Sequence, residues 1–226
     1  MKLIIFDCDG TLVDSQHTIC AAMNHAFSSL ELPPPARRDM LGVVGLSLPQ
    51  VFAVLAAEHP PSVQAELIRF YRSDYPGKRQ DPAAHDPLFA GVGDAVKRLA
   101  GRTDVVLGIA TGKSRRGVAR ILDREGWQGH FLTIQTADDH PSKPHPSMIL
   151  RAMAEVGAEP RSTVMVGDTT YDMEMACSAG VGALGVTWGY HEPERLLLAG
   201  AQALVASGEA LVAALDERLA MQEQVA

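Results

Sequence analysis

The chain is poor in cysteine, has no long apolar run and carries no excess of basic charge. Its three cysteines in 226 residues, Cys8, Cys20 and Cys177, are far apart and form no C-x-x-C pair. That pattern argues against a disulfide framework and against a zinc site, and fits reduced thiols in a cytoplasmic protein. No stretch approaches the roughly 20 apolar residues of a membrane span. The opening run MKLIIFDCD meets charge too early for the apolar core of a signal peptide. A cytoplasmic address with no membrane partner is therefore expected. Acidic residues outnumber basic ones by 27 to 20, with the signs interleaved, so no basic stripe marks a nucleic-acid footprint. Internal repeats and low-complexity segments are also missing.

What is present is an ordinary globular composition, 46% hydrophobic, at a length that suits one large domain or a core with a smaller insertion. Short β-rich runs occupy 2–7, 105–110, 132–136, 163–167 and 183–187. Those at 2–7, 105–110 and 163–167 are nearly continuous in apolar residues, as strands covered on both faces should be. Helical patterns at 93–100, 114–125, 146–156 and 171–179 alternate with them, which predicts a doubly wound, Rossmann-like α/β core with a parallel sheet. One interval breaks the rhythm. Residues 15–86 offer helix patterns at 15–30, 36–40, 48–58 and 62–75, with Ser15 as a candidate N-cap, but no convincing strand. The turn signals Pro76-Gly77, Asp81-Pro82 and Asp86-Pro87 close it. The expected organisation is a core of 1–14 and 87–226 with an all-helical cap of 15–86 inserted after the first strand. The tail, 209–226, reads as a terminal helix.

In an open parallel sheet, ligands bind beyond the carboxyl ends of the strands. The first strand runs into Asp7 and Asp9, two carboxylates whose spacing puts them on one side of an extended chain. They repel each other, so one holds a proton or a cation sits close by. Cys8, between them, points the other way and reads as a small buried hydrophobe rather than a nucleophile. After 105–110 come Thr111, Gly112 and Lys113, where a hydroxyl and backbone N–H groups lead into a helix N-terminus suited to an anion. After 163–167 comes GDTTYD with Asp168 and Asp172, and between these stations Lys143 sits in SKPHP. Singly, Asp168 or Thr111 reads as a helix cap, Lys143 as a solvated charge and Asp172 as a complement to a helix dipole. Convergence on one sheet edge outweighs those readings, and a hard cation with oxygen ligands, Mg²⁺ above all, would relieve the repulsion.

FDCDGTLVDS at 6–15, ATGKS at 110–114, SKPHP at 142–146 and VGDTTYDMEMA at 166–176 together resemble the four motifs of the haloacid dehalogenase superfamily. The resemblance is to its phosphatase branch and most to the phosphoglycolate-phosphatase type with a helical cap. It implies a Mg²⁺-dependent phosphatase acting on a small phosphorylated metabolite. Asp7 would be the nucleophile, and Asp9 the general acid and then base. Mg²⁺ would be held by the Asp7 and Asp168 carboxylates and the Asp9 carbonyl. Thr111 and Gly112 would bind phosphoryl oxygens, Lys143 would neutralise charge, and Asp172 would orient Lys143 or a metal-bound water. Retention of Asp9 favours C–O–P hydrolysis over halide displacement or P–C cleavage. A phosphosugar mutase is less well matched, because its cap histidine falls on Ile19, although His17 is near, and its Glu-Asp pair is Gly167-Asp168. A pyrophosphatase or nucleotidase, or a catalytically quiet module that regulates by binding, stays open as an alternative. In the cap loop VVGLSLPQ at 43–50, Gly45 and Ser47 would face the substrate, offering backbone freedom and one hydroxyl. Arg37, Arg38, Arg69 and Arg72 are candidates for a substrate carboxylate, each with a solvated helix face as the competing reading. His140 and His145 read as polar loop groups rather than metal ligands. Monomer and homodimer are both compatible with the sequence.

Overall fold

The structure, a computed structural model, describes residues 1–74 and 86–224. The expected turns at Pro76-Gly77 and Asp81-Pro82 lie outside the described residues. Strands β1 (Lys2–Phe6), β2 (Val105–Thr111), β3 (Phe131–Thr136), β4 (Thr163–Gly167), β5 (Gly182–Val186) and β6 (Ala203–Val205) form one sheet in the order β3-β2-β1-β4-β5-β6. Every pairing in it is parallel. The helices are α1 (Gln16–Ser28), α2 (Arg37–Gly42), α3 (Leu48–Leu55), α4 (Pro61–Asp74), α5 (Val92–Ala100), α6 (Arg115–Glu125), α7 (Ser147–Val156), α8 (Thr170–Ala179), α9 (Pro193–Leu198) and α10 (Gly208–Gln224).

Strand alternation sorts the core into two layers. Ile4 and Phe6 of β1 pack with Leu107, Val164 and the apolar faces of α5, α6 and α10. Leu3 and Ile5, on the opposite face, pack with Met165 and the faces of α7, α8 and α9. Burial on both faces is why these strands read as unbroken apolar runs. Since β1 lies between β2 and β4, the strand order reverses direction there, and a crevice opens beyond their carboxyl ends. Among the described residues, no helix is long and apolar enough to cross a membrane.

Helices α1 to α4 bury a third cluster of their own, in which Phe52 is wholly enclosed and packs against Phe27 and Tyr71. Truncating Phe52 to alanine would cost about 3–5 kcal/mol. The chain enters and leaves this helical unit side by side. The Asp14 N–H donates to the Pro87 carbonyl at 2.8 Å, the Phe89 N–H donates to the Leu12 carbonyl at 3.2 Å, and Val13 bridges Leu88 in antiparallel fashion.

Several expectations need correction. Ser15 sits at the start of α1 but its side chain caps nothing; its N–H donates to the Tyr190 hydroxyl at 3.0 Å, and the two hydroxyls lie 3.2 Å apart. β1 stops at Phe6, before Asp7, because the Cys8 carbonyl gathers the N–H groups of Thr11, Leu12 and Val13 into a turn. Gly10 completes that turn at φ +88°, a conformation that favours glycine. Strand β6 and helix α9, three and six residues long, fall below the length at which periodicity gives a signal.

Candidate active site

The segments that follow β1 and β4, the latter running into the first turn of α8, bring three acids together. One carboxylate oxygen from each of Asp7, Asp168 and Asp172 lies within 4.8 Å of the others, and all three side chains are buried. Lys143 reaches them from the SKPHP loop, itself buried, with Nζ 2.6 Å from Asp172 Oδ1 and 3.0 Å from Asp7 Oδ2. The first contact is a hydrogen bond; the second is an ion-pair contact outside hydrogen-bond geometry, so Asp7 Oδ2 is buried without a hydrogen-bond partner. Asp7 Oδ1 accepts from the Cys8 N–H at 2.7 Å.

The local sequence fixes each acid. Asp172 belongs to a reciprocal capping box at the start of α8: Thr169 donates its N–H and hydroxyl to Asp172 Oδ2, while its hydroxyl oxygen accepts from the Asp172 N–H. Asp172 thus both caps a helix and holds Lys143. It folds over Gly167, where a Cβ would stand 2.3 Å from its Cγ, so the glutamate of the mutase pattern has no room at 167. Asp168 accepts the Thr11 hydroxyl on Oδ1 at 2.8 Å and the Tyr190 N–H on Oδ2 at 2.9 Å.

The electrostatics follow from burial. Burial pushes the Asp7 carboxyl up to about 6, against the pull of Lys143 and the Thr111 hydroxyl and helped by Asp172 and Asp9. Burial also raises Asp168 far above the usual carboxylate range, with Asp172 and Asp7 adding to it. For Lys143, burial disfavours the ammonium, but Asp172 and Asp7 more than offset it and the group is held charged. Three carboxylates around one ammonium, with an orphaned oxygen on Asp7, form a donor set that fits a hard divalent cation.

Asp9 has a separate partner. Lys113 Nζ lies 2.6 Å from Asp9 Oδ1, and both side chains are nearly buried. The cation that Asp7 and Asp9 demanded is therefore supplied twice, by Lys143 for one acid and Lys113 for the other. Lys113 was in view in the ATGKS stretch, but only its neighbours' hydroxyl and N–H groups suggested chemistry. Thr11, Thr169 and Tyr190 gave no such signal, because their partners are brought close only by the fold. Cys8 is buried in the core, and its thiol is raised by burial and then by Asp7 and Asp9, so it is no nucleophile. His140 bridges the Gln135 amide and Ser147 hydroxyl, and His145 Nδ1 accepts from the Ser147 N–H, both as polar loop groups.

A cavity of about 310 Å³ lies between this edge of the sheet and the helical unit. Asp7, Asp9, Thr111, Gly112 and Lys113 form its core wall, and Gly45 and Ser47 line the opposite side. The cap loop is clasped to the core: Tyr171 donates its hydroxyl to the Gly42 carbonyl at 3.0 Å, and the Ser47 N–H donates to Ser142 Oγ at 2.8 Å. Gly45, at φ +98°, comes so close to Gly112 that a Cβ on the latter would lie 2.5 Å from the Gly45 carbonyl oxygen. Of the four cap arginines, Arg72 alone lines the cavity. Arg37 donates to Gln16, Arg38 lies near Asp39, and Arg69 pairs with Glu66 while stacking on Phe70.

A family model described as haloacid dehalogenase-like hydrolase matches residues 4–186. A Dickeya dadantii protein named probable phosphatase is 37% identical over 90% of this chain and 88% of its own. A phosphoglycolate phosphatase of Synechococcus elongatus is 32% identical over 88% of this chain and 90% of its own. Among solved structures, a haloacid dehalogenase-like family hydrolase from Streptococcus pneumoniae superimposes with a TM-score of 0.81 at 26% identity, covering 95% of this chain and 98% of that one.

Proposed function

The chain belongs to the haloacid dehalogenase-like hydrolases, and from that premise we propose that it is a Mg²⁺-dependent phosphatase releasing phosphate from a small phosphomonoester through a phosphorylated Asp7. The observation that carries this reading is Asp7, which lines the cavity while its buried carboxylate is clustered with those of Asp168 and Asp172 and lies 3.0 Å from the Lys143 ammonium. Phosphoglycolate, named in the Synechococcus relative, is the first substrate to try.

In the first step an Asp7 oxygen bonds to phosphorus as the ester P–O bond breaks, and Asp9 gives its proton to the departing alkoxide. In the second, water attacks phosphorus, Asp9 takes its proton, phosphate leaves and the Asp7 carboxylate is restored. Phosphoryl transfer asks mainly for positioning and charge neutralisation. Lys143 would neutralise the Asp7 side, Thr111 and the Gly112 N–H would hold phosphoryl oxygens, and Asp172 would keep Lys143 aimed. When bound by the Asp7 and Asp168 carboxylates and the Asp9 carbonyl, Mg²⁺ would supply further positive charge to those oxygens.

The test is turnover of 4-nitrophenyl phosphate with Mg²⁺, with EDTA and with Asp7→Asn. EDTA should abolish it, and the substitution should lower kcat by about 10⁴-fold or more, because it removes the covalent route. Turnover that survives both treatments rejects the mechanism.

A further inference from the structure

Three arginines line the cavity, Arg72 from α4 and Arg116 and Arg120 from α6, the last two one turn apart on one helix face. Among the described residues, no carboxylate pairs with any of them. Several arginines outside the cavity are engaged with carboxylates: Arg69 with Glu66, Arg102 with Asp104 and Asp216, Arg124 with Glu125, and Arg151 with Glu155. The cavity arginines make one hydrogen bond among themselves, from Arg120 Nε to the Arg116 carbonyl at 3.3 Å. Asp138, the remaining acid in the lining, already accepts the Arg115 N–H at 2.8 Å.

Much of the remaining lining is apolar: Ile19, Met23, Val44, Leu46, Leu48 and Val51. Asp7 and Asp9 are buried whereas Arg72 and Arg116 are exposed, which puts the acids at the closed end of the cavity and the two guanidinium groups toward solvent. A two-carbon leaving group such as glycolate keeps its carboxylate beside phosphorus and leaves that apolar lining uncovered. The volume, about 310 Å³, sits at the lower end of pockets that bury drug-sized ligands.

We infer that the substrate is an organic phosphate whose leaving group has a hydrophobic body and carries a second anionic group, a carboxylate or a phosphate, held by Arg72 and Arg116. Planar guanidinium groups suit either anion through paired N–H donors. The assignment rests on the phosphatase reading of the same cavity and specifies which phosphomonoester enters it.

Inert phosphonates test it by calorimetry on the full chain with Mg²⁺. Benzylphosphonate should bind more tightly than methylphosphonate, which probes the apolar wall. Adding a para carboxylate or a para phosphonomethyl group to benzylphosphonate should tighten Kd by about ten- to a hundredfold, and the better of the two identifies the anion. Arg72→Gln with Arg116→Gln should remove that gain; both positions are exposed on helices, and a thermal melt confirms the fold. Anionic ligands that bind no tighter than benzylphosphonate, a gain that persists in the double variant, or no phosphonate binding would each overturn the assignment. Turnover of 4-nitrophenyl phosphate on the same samples separates the two readings. Turnover without the gain leaves a phosphatase with a different substrate, and the gain without turnover leaves the pocket chemistry while removing the phosphatase.

Discussion

Lys113 and Asp9 are 104 positions apart in the chain and their charged groups lie 2.6 Å apart at the cavity floor. The lysine stem lies over Gly117, where an added Cβ would stand only 2.9 Å from Lys113 Cγ, so the bare backbone leaves it room. The ammonium therefore fixes the carboxylate that, on the proposed mechanism, handles the leaving-group proton. Lys113→Met should lower kcat by about 10- to 100-fold through loss of this single electrostatic contact. Steady-state kinetics with 4-nitrophenyl phosphate checks it, and an unchanged kcat with a lowered melting temperature would reduce the pair to a structural role.

Lys143 stands differently, because it is the sole ammonium contacting the buried acid cluster among the described residues. Breaking a buried ion pair by removing one partner costs about 3–5 kcal/mol. At about 2–4 °C per kcal/mol for a chain of this size, Lys143→Met should melt roughly 6–20 °C below the wild type. Mg²⁺ should raise its melting temperature more than that of the wild type, since three carboxylates then lack any other counter-charge. Calorimetric scans with and without Mg²⁺ measure both effects.

The pH dependence of the metal-free protein has a defined sign. Asp7 titrates near 6 in the fold and about 3.9 in the unfolded chain. Between those values the folded state binds more protons, so this acid's contribution is fully present below about pH 4 and is lost as pH rises through 6. Asp168, also raised, acts in the same direction. In EDTA these two acids should make the protein less stable at pH 7.5 than at pH 5.0, and the stabilisation by Mg²⁺ should be larger at pH 7.5. Melting curves at the two pH values test this; a larger Mg²⁺ effect at pH 5.0 contradicts it.

Gly112 lies against the Gly45 and Leu46 carbonyls, at 2.5 and 2.7 Å from where a Cβ would be. Both neighbours are backbone and cannot rotate away. Gly112→Ala should therefore push the cap loop outward, raising KM several-fold while leaving core stability within about 1 kcal/mol. Kinetics together with a melting curve distinguish this from general misfolding.

Five of the six strands, four connecting helices and the positions of Asp7, Asp168 and Asp172 were legible because the acids follow closely on buried apolar runs, a local signal; Lys143 stood out only as a charge in the SKPHP loop between those stations. Gly45 and Ser47 were legible as cavity-facing positions from the resemblance alone. What the sequence hid was pairing at long range: Lys113 with Asp9, Thr11 and Tyr190 with Asp168, and Tyr190 with Ser15 in place of the expected cap. Such pairings depend on strand order, which no window of sequence reports. The cavity arginines were hidden in part for a similar reason. Arg72 was one of four equal candidates until packing took the other three elsewhere, and Arg116 and Arg120 belong to a core helix whose face toward the cavity is set by the sheet.

The two crossings at Asp14–Pro87 and Leu12–Phe89 tie the entry to and the exit from the helical unit into a two-stranded ribbon rooted only a few residues from Asp9. A rocking motion of the helical unit cannot bend one strand without dragging the other. On the proposed mechanism, any displacement of the helical unit during turnover would pull on the segment that carries Asp9, so the ribbon would couple access to the cavity with the placing of that carboxylate.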